Sequence, residues 1–143
     1  MSDIKQLEFV DTNVLVYAYD RSAGKKHLLA SNLIKKLWQT RQGCLSVQVL
    51  QEFYVTVTRK VSQPLAWQEA SEIIRNLSVW QVHSPQADDI LDAIRIQNRY
   101  GISFWDSMIV VSAVTMNCQI IWTEDLNSGQ LYEQLLVQNP FCL

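Results

Sequence analysis

Four acidic residues of this 143-residue chain stand out, two of them, Glu52 and Asp106, embedded in apolar or aromatic residues, unlike acids on a solvated face. Asp11 follows the short apolar run 7–10 and opens Asp11-Thr12-Asn13-Val14-Leu15. Glu52 lies in Ser46-Val47-Gln48-Val49-Leu50-Gln51-Glu52-Phe53-Tyr54, and Asp106 in Ser103-Phe104-Trp105-Asp106-Ser107-Met108. Asp125 lies in Thr123-Glu124-Asp125-Leu126, just after the run 119–122. Carboxylates gathered in one cleft repel, and several must protonate unless a cation compensates. A hard divalent ion with oxygen ligands, Mg²⁺ or Mn²⁺, meets that need while keeping several of its waters. Such an ion activates water and neutralises charge on a phosphoryl oxygen, so the chemistry in view is metal-assisted phosphodiester hydrolysis. Each acid also has a structural use. Asp11 and Asp125 suit helix N-caps, and Asp106 suits the acidic half of a capping box with Ser103. Glu52 sits too deep in its helix to cap it.

Bringing these acids together requires strands that end side by side. Short runs suited to buried strands occur at 7–10, 44–47, 79–82, 119–122 and 135–138. Between them lie segments of helical spacing. Leu29, Leu33 and Leu37 recur at i, i+4 with Ile34 and Trp38 beside them, which predicts an amphipathic helix over 25–40. Pro64 and Pro85 occupy positions suited to a first helical residue and predict helices over 64–77 and 85–100, the second ending at Gly101. Ser103 opens a further helix through the apolar run 108–114, and Glu52 falls near the start of a helix after the second strand. Strands alternating with helices make a largely parallel α/β sheet, whose ligand site lies beyond the carboxyl strand ends where strand order reverses. Asp11 and Asp125 both fall at such ends.

Composition narrows the class. With 48% hydrophobic and 18% charged residues, 4 glycines and 3 prolines, the chain is neither collagen-like nor disordered. No apolar run approaches the length of a membrane span, and residues 1–5 lack the apolar stretch of a signal peptide. Cys44, Cys118 and Cys142 form no Cys-x-x-Cys pair and read as small core residues of a reducing, cytoplasmic compartment. His27 and His83 are too isolated to make a histidine metal cluster, and no Gly-x-Gly-x-x-Gly, Walker loop or nucleophile elbow is present. No linker or repeat divides residues 1–143, which read as a single domain. Six of the 12 basic residues (Arg21, Lys25, Lys26, Lys35, Lys36, Arg41) lie within 21–41, a segment with no Asp or Glu. Such an arm is either a solvated helix face or a steering surface for a polyanion.

In their order and spacing, Asp-Thr-Asn-Val-Leu at 11–15, Ser-Val-Gln-Val-Leu-Gln-Glu-Phe-Tyr at 46–54, Ser-Phe-Trp-Asp at 103–106 and Thr-Glu-Asp-Leu at 123–126 resemble the PIN domain. More narrowly, they resemble the VapC-type toxins of type II toxin–antitoxin systems. Any one of these motifs is weak; together they run from the first strand to the last, and Val137-Gln138-Asn139-Pro140 extends the match. The resemblance implies a three-layer α/β/α domain with a mainly parallel sheet of about five strands, acting as an Mg²⁺- or Mn²⁺-dependent endoribonuclease. It matches Asp11, Glu52, Asp106 and Asp125 to the family's acidic quartet. Asp11, Asp106 and Asp125 then hold the metal, and Glu52 completes the site and orients or deprotonates the attacking water. Asn13 and Thr123 match the polar residues that support the acids, Glu124 is a lesser candidate, and Asp89 and Asp92 read as surface charge. With a nuclease site behind it, the basic arm gains RNA contacts at Arg21, Lys25 and Lys26, joined by Arg59 and Lys60, or else faces an acidic segment of a protein antitoxin. The family also implies a homodimer. Two rival readings stand beside this one: a PIN nuclease of RNA processing or turnover without an antitoxin, and an interaction module whose acids are only helix caps.

Overall fold

In a computed structural model of the chain, residues 6–142 are described; the reading of residues 1–5 as lacking a signal peptide lies outside them. Strands and helices alternate: β1 Glu8–Val10, α1 Thr12–Tyr19, α2 Lys25–Thr40, β2 Gly43–Ser46, α3 Val47–Arg59, α4 Trp67–Leu77, β3 Gln81–His83, α5 Ala87–Tyr100, α6 Phe104–Thr115, β4 Ile120–Trp122, β5 Leu131–Tyr132 and β6 Leu135–Gln138. The sheet runs β3-β2-β1-β4-β6-β5. All pairings are parallel except that of β5 with β6. This is the expected three-layer arrangement, with one short antiparallel strand, β5, added to the five expected. No helix among the described residues is long and apolar enough to cross a membrane.

β1 occupies the middle of the sheet, and its three residues are buried. Phe9 lies in register with Cys44 on one side and Ile121 on the other. From β1 the chain lays β2 and β3 to one side and β4 and β6 to the other, so the strand order reverses between β1 and β4. The carboxyl ends of these two strands, Val10 and Trp122, lie opposite each other, at the place where open α/β sheets form their binding crevice. The helices fall into two packed groups, α1 with α2, α3 and α4, and α5 with α6.

Two helices begin later than the prolines predict. The backbone N–H of Leu65 donates to the Val57 carbonyl at 2.9 Å, which ties the chain back to α3 and delays α4 until Ala66 can cap it. For α5 the start is set at Gln86, whose backbone N–H donates to Asp89 Oδ2 at 2.8 Å in a reciprocal capping box. Asp89 is therefore a structural residue, also 3.5 Å from His83 Nε2, while Asp92 does carry surface charge beside Arg95. The third strand starts at Gln81 because the Trp80 N–H still bonds to the Leu77 carbonyl at the end of α4.

Trp80 fixes the entry to β2. Its ring covers Gly43 so closely that a Cβ there would collide with Trp80 Cζ3, and Trp38 packs edge-on against the same ring at 5.4 Å. The indole is packed between a strand and a second indole. Gly43→Ala is therefore expected to lower stability by about 1–3 kcal/mol, read as an earlier urea midpoint with an unchanged m-value; an unaltered midpoint would show that the indole yields freely.

Candidate active site

Asp11 ends β1 and caps α1. Its Oδ1 accepts the Thr12 backbone N–H at 2.7 Å, and its Oδ2 accepts the Thr123 hydroxyl at 2.8 Å. The side chain thus does what an N-cap does, yet it is only 5% exposed at the head of a cleft. Burial pushes its carboxyl up to about 7. The bonds from Thr123 and Thr12 pull the other way, and the charges of Asp125 and Asp106 add to the rise.

The other acids arrive from three different elements. Glu52 lies midway along α3, where Thr12 Oγ1 donates to its Oε1 at 2.7 Å and Gln48, one turn earlier, reaches its Oε2 at 3.5 Å. Asp106 sits in the first turn of α6, whose Ser103 cap accepts the Asp106 N–H at 3.0 Å. Its carboxyl is raised by burial, against the Ser103 hydroxyl, and further raised by Asp125 and Glu52. Asp125 is exposed on the turn after β4. There Asn13 Nδ2 donates to its Oδ2 at 2.9 Å, and its own backbone N–H donates to Thr123 Oγ1 at 3.1 Å. Asn13 and Thr123 thus bond directly to the acids that sequence reasoning assigned them to support.

All four acids line one cleft of about 740 Å³, together with Trp105 and Lys60. Among the described residues, none of the four forms an ion pair with a basic side chain. Two of them are held above the usual carboxylate range, and the donor set is entirely oxygen. That combination fits a hard divalent cation, which would relieve the repulsion. Among the described residues, no three Asp, Glu, His or Cys side chains stand close enough together to hold a metal ion as placed. Oxygen donors alone suit a hard ion that keeps part of its water shell, as Mg²⁺ does.

The basic residues are less uniform. Lys60 lines the cleft, and Arg21, Lys25 and Arg59 are exposed, whereas Lys26 bonds to Glu124 Oε2 at 2.7 Å. Sequence reasoning missed Thr12, Gln48, Tyr17 and Asp20, which all line the cleft. Gln48 had a signal in its i, i+4 spacing to Glu52, and Tyr17 in the same spacing to Asn13. His83 Nδ1 lies 2.9 Å from Ser112 Oγ and its Nε2 faces Asp89, a Ser-His-Asp order. Ser112 is only 1% exposed, out of reach of a substrate.

A mainly parallel α/β sheet with an acidic, oxygen-lined cleft at its strand-order reversal defines the class. Within it, the chain belongs to the PIN-domain family, whose model matches residues 9–133. The structure is similar to that of VapC20 from Mycobacterium tuberculosis, a sarcin–ricin loop cleaving toxin, with 22% identity, a TM-score of 0.64 and coverage of 82% of this chain and 91% of that one. It is also similar to DNA-bound VapBC from Salmonella typhimurium (14% identity, TM-score 0.66, 95% and 99% covered). A toxin–antitoxin complex from Klebsiella pneumoniae gives 14% identity and a TM-score of 0.68, with 93% and 97% covered. At these identities the likeness is one of fold. No curated protein matches the chain.

The raised Asp11 carboxyl has a consequence for stability. The folded chain holds this proton more tightly than the unfolded chain, so ionising Asp11 opposes folding. The penalty is absent below the ordinary value of 3.8, grows as pH rises, and is complete above about 7. In metal-free buffer, wild type should lose stability relative to Asp11→Asn across that window, by at most about 4 kcal/mol. Saturating Mg²⁺ should narrow the gap. Urea melts of both proteins from pH 4 to 8 test this, and a pH-independent difference would place the Asp11 carboxyl in the ordinary range.

Proposed function

We propose that this chain is an Mg²⁺- or Mn²⁺-dependent endoribonuclease, the toxin of a type II toxin–antitoxin pair acting on RNA in the cytoplasm. One observation carries the reading: four carboxylates from four elements line a single cleft and none has a basic partner among the described residues. Caps alone do not require that convergence, since Glu52 caps nothing.

Asp11, Asp106 and Asp125 would hold the metal, directly or through water. When bound, the ion supplies charge neutralisation at the scissile phosphate and activation of water. Glu52, oriented by Thr12 and Gln48, accepts the proton of the attacking water. Attack in line at phosphorus leaves 3′-hydroxyl and 5′-phosphate ends. Lys60 on the cleft wall, with the exposed Arg21, Lys25 and Arg59 further out, contacts the RNA backbone. The solved relatives from Klebsiella pneumoniae and Salmonella typhimurium are assemblies of toxin with antitoxin, which supports a protein antitoxin as partner here; a homodimer follows from the same family likeness.

The test is cleavage of total cellular RNA by purified wild type, Asp11→Asn and Asp106→Asn, with Mg²⁺, Mn²⁺ or EDTA. Discrete fragments should appear with wild type and metal alone, and each substitution should lower the cleavage rate by about 100-fold or more while the fold persists. Equal cleavage by the variants, or cleavage in EDTA, would remove the acids or the metal from the chemistry.

A further inference from the structure

Asp125 is the exposed member of the acidic set, and no helix or strand carries it between the end of β4 and the start of β5. Its position depends on what grips the turn 123–126. α1 grips it twice. Asn13 Oδ1 accepts the Glu124 backbone N–H at 3.2 Å while Asn13 Nδ2 holds Asp125. One helical turn later on the same face, Tyr17 donates its hydroxyl to Glu124 Oε1 at 2.8 Å. α2 supplies the last contact, Lys26 Nζ to Glu124 Oε2 at 2.7 Å. The two carboxylate oxygens of Glu124 are thus taken by two different helices.

The ammonium of Lys26 is itself confined. It lies 5.0 Å from the centre of the Tyr17 ring and 5.3 Å from that of Phe141, and these rings pack edge-on at 5.3 Å. An isolated exposed ion pair adds little, since two long side chains must be immobilised. Two aromatic faces around the ammonium restrict it in advance and add cation–π attraction. The arrangement also separates Lys26 from Lys25 and Lys36, which have no ion-pair partner among the described residues.

We propose that Glu124 is a positioning residue: clamped by Tyr17 and Lys26, it latches the turn 123–126 to α1 and α2 and so holds Asp125 toward Asp11. Lys26 is committed to this latch and is not a phosphate contact. The inference rests on the nuclease reading for its catalytic consequence, but its structural part is measurable without RNA.

The experiment compares wild type, Lys26→Met, Glu124→Gln and the charge swap Lys26→Glu/Glu124→Lys, with Lys36→Met as a control on the same helix. Three quantities are read: thermal stability without metal, the Mg²⁺ midpoint from the metal-induced rise in Tm, and kcat and KM for RNA cleavage. Each single latch variant should weaken Mg²⁺ binding and lower kcat by roughly tenfold or more, with KM near its wild-type value. The swap should recover part of both, because it restores the ion pair but neither the cation–π contacts nor the bond from Tyr17 to a carboxylate, and Lys36→Met should match wild type. If Lys26→Met instead raises KM, lowers the salt slope by about one and is not recovered by the swap, Lys26 is an RNA contact and the latch is overturned. An unchanged Mg²⁺ midpoint in both single variants overturns it as well. Should wild type cleave no RNA, the nuclease reading fails by itself, and the Mg²⁺ midpoints with the metal-free coupling between Lys26 and Glu124 still decide the latch.

Discussion

A carboxylate buried at the end of the central strand governs much of the rest of the structure. An ionised or half-ionised Asp11 out of contact with bulk water needs hydrogen bonds to both oxygens. One comes from the first turn of α1 and the other from Thr123, itself fully buried beyond β4. Meeting both demands requires α1 to start immediately after β1. It also requires β4 to lie beside β1 in the register that sets Val10 opposite Trp122. The strand order and the site are therefore one problem with one solution: the order that buries Phe9 between β2 and β4 also delivers Thr123 to Asp11.

Around that centre, negative charge accumulates toward the cleft. Asp11 and Asp106 are both held in their neutral forms further up the pH scale than free carboxyls, each by burial first and by the neighbouring acids second. Such an arrangement works against folding in the absence of a cation and favours binding one. The lysine that α2 brings to the turn 123–126 does not relieve it. Lys26 is drawn to Glu124 and to two aromatic rings instead, leaving the four cleft acids without a basic partner among the described residues.

Much of this was legible in the chain. Apolar runs beside Asp11 and Asp125 marked strand ends, the helical stripe of α2 coincides with Lys25–Thr40, and Glu52 and Asp106, set beside Phe53 and Trp105, stood out because a solvated acid rarely has such neighbours. What escaped was pairing at a distance. The Lys26–Glu124 bridge joins residues 98 positions apart and the Thr12–Glu52 bond residues 40 apart; periodicity and caps encode faces and boundaries, not partners. The late start of α4 has the same origin, whereas that of α5 comes from a local capping pair three residues apart. A proline permits a first helical turn, but Leu65 bonding back to α3 and Asp89 reaching Gln86 decide where the helix begins.

The cleft joins elements of very different burial. α6, which carries Asp106 in its first turn, buries seven consecutive residues, Ser107 to Ala113, so its amides are shielded on every side. Asp125 is exposed, between two short strands, on a turn whose Thr123 and Leu126 are buried. From burial alone, the middle of α6 is expected to exchange its amide hydrogens only when the whole domain unfolds, and the amides around Asp125 to open locally and more often. One wall of the cleft is then as durable as the fold itself, and the other only as durable as its own local contacts.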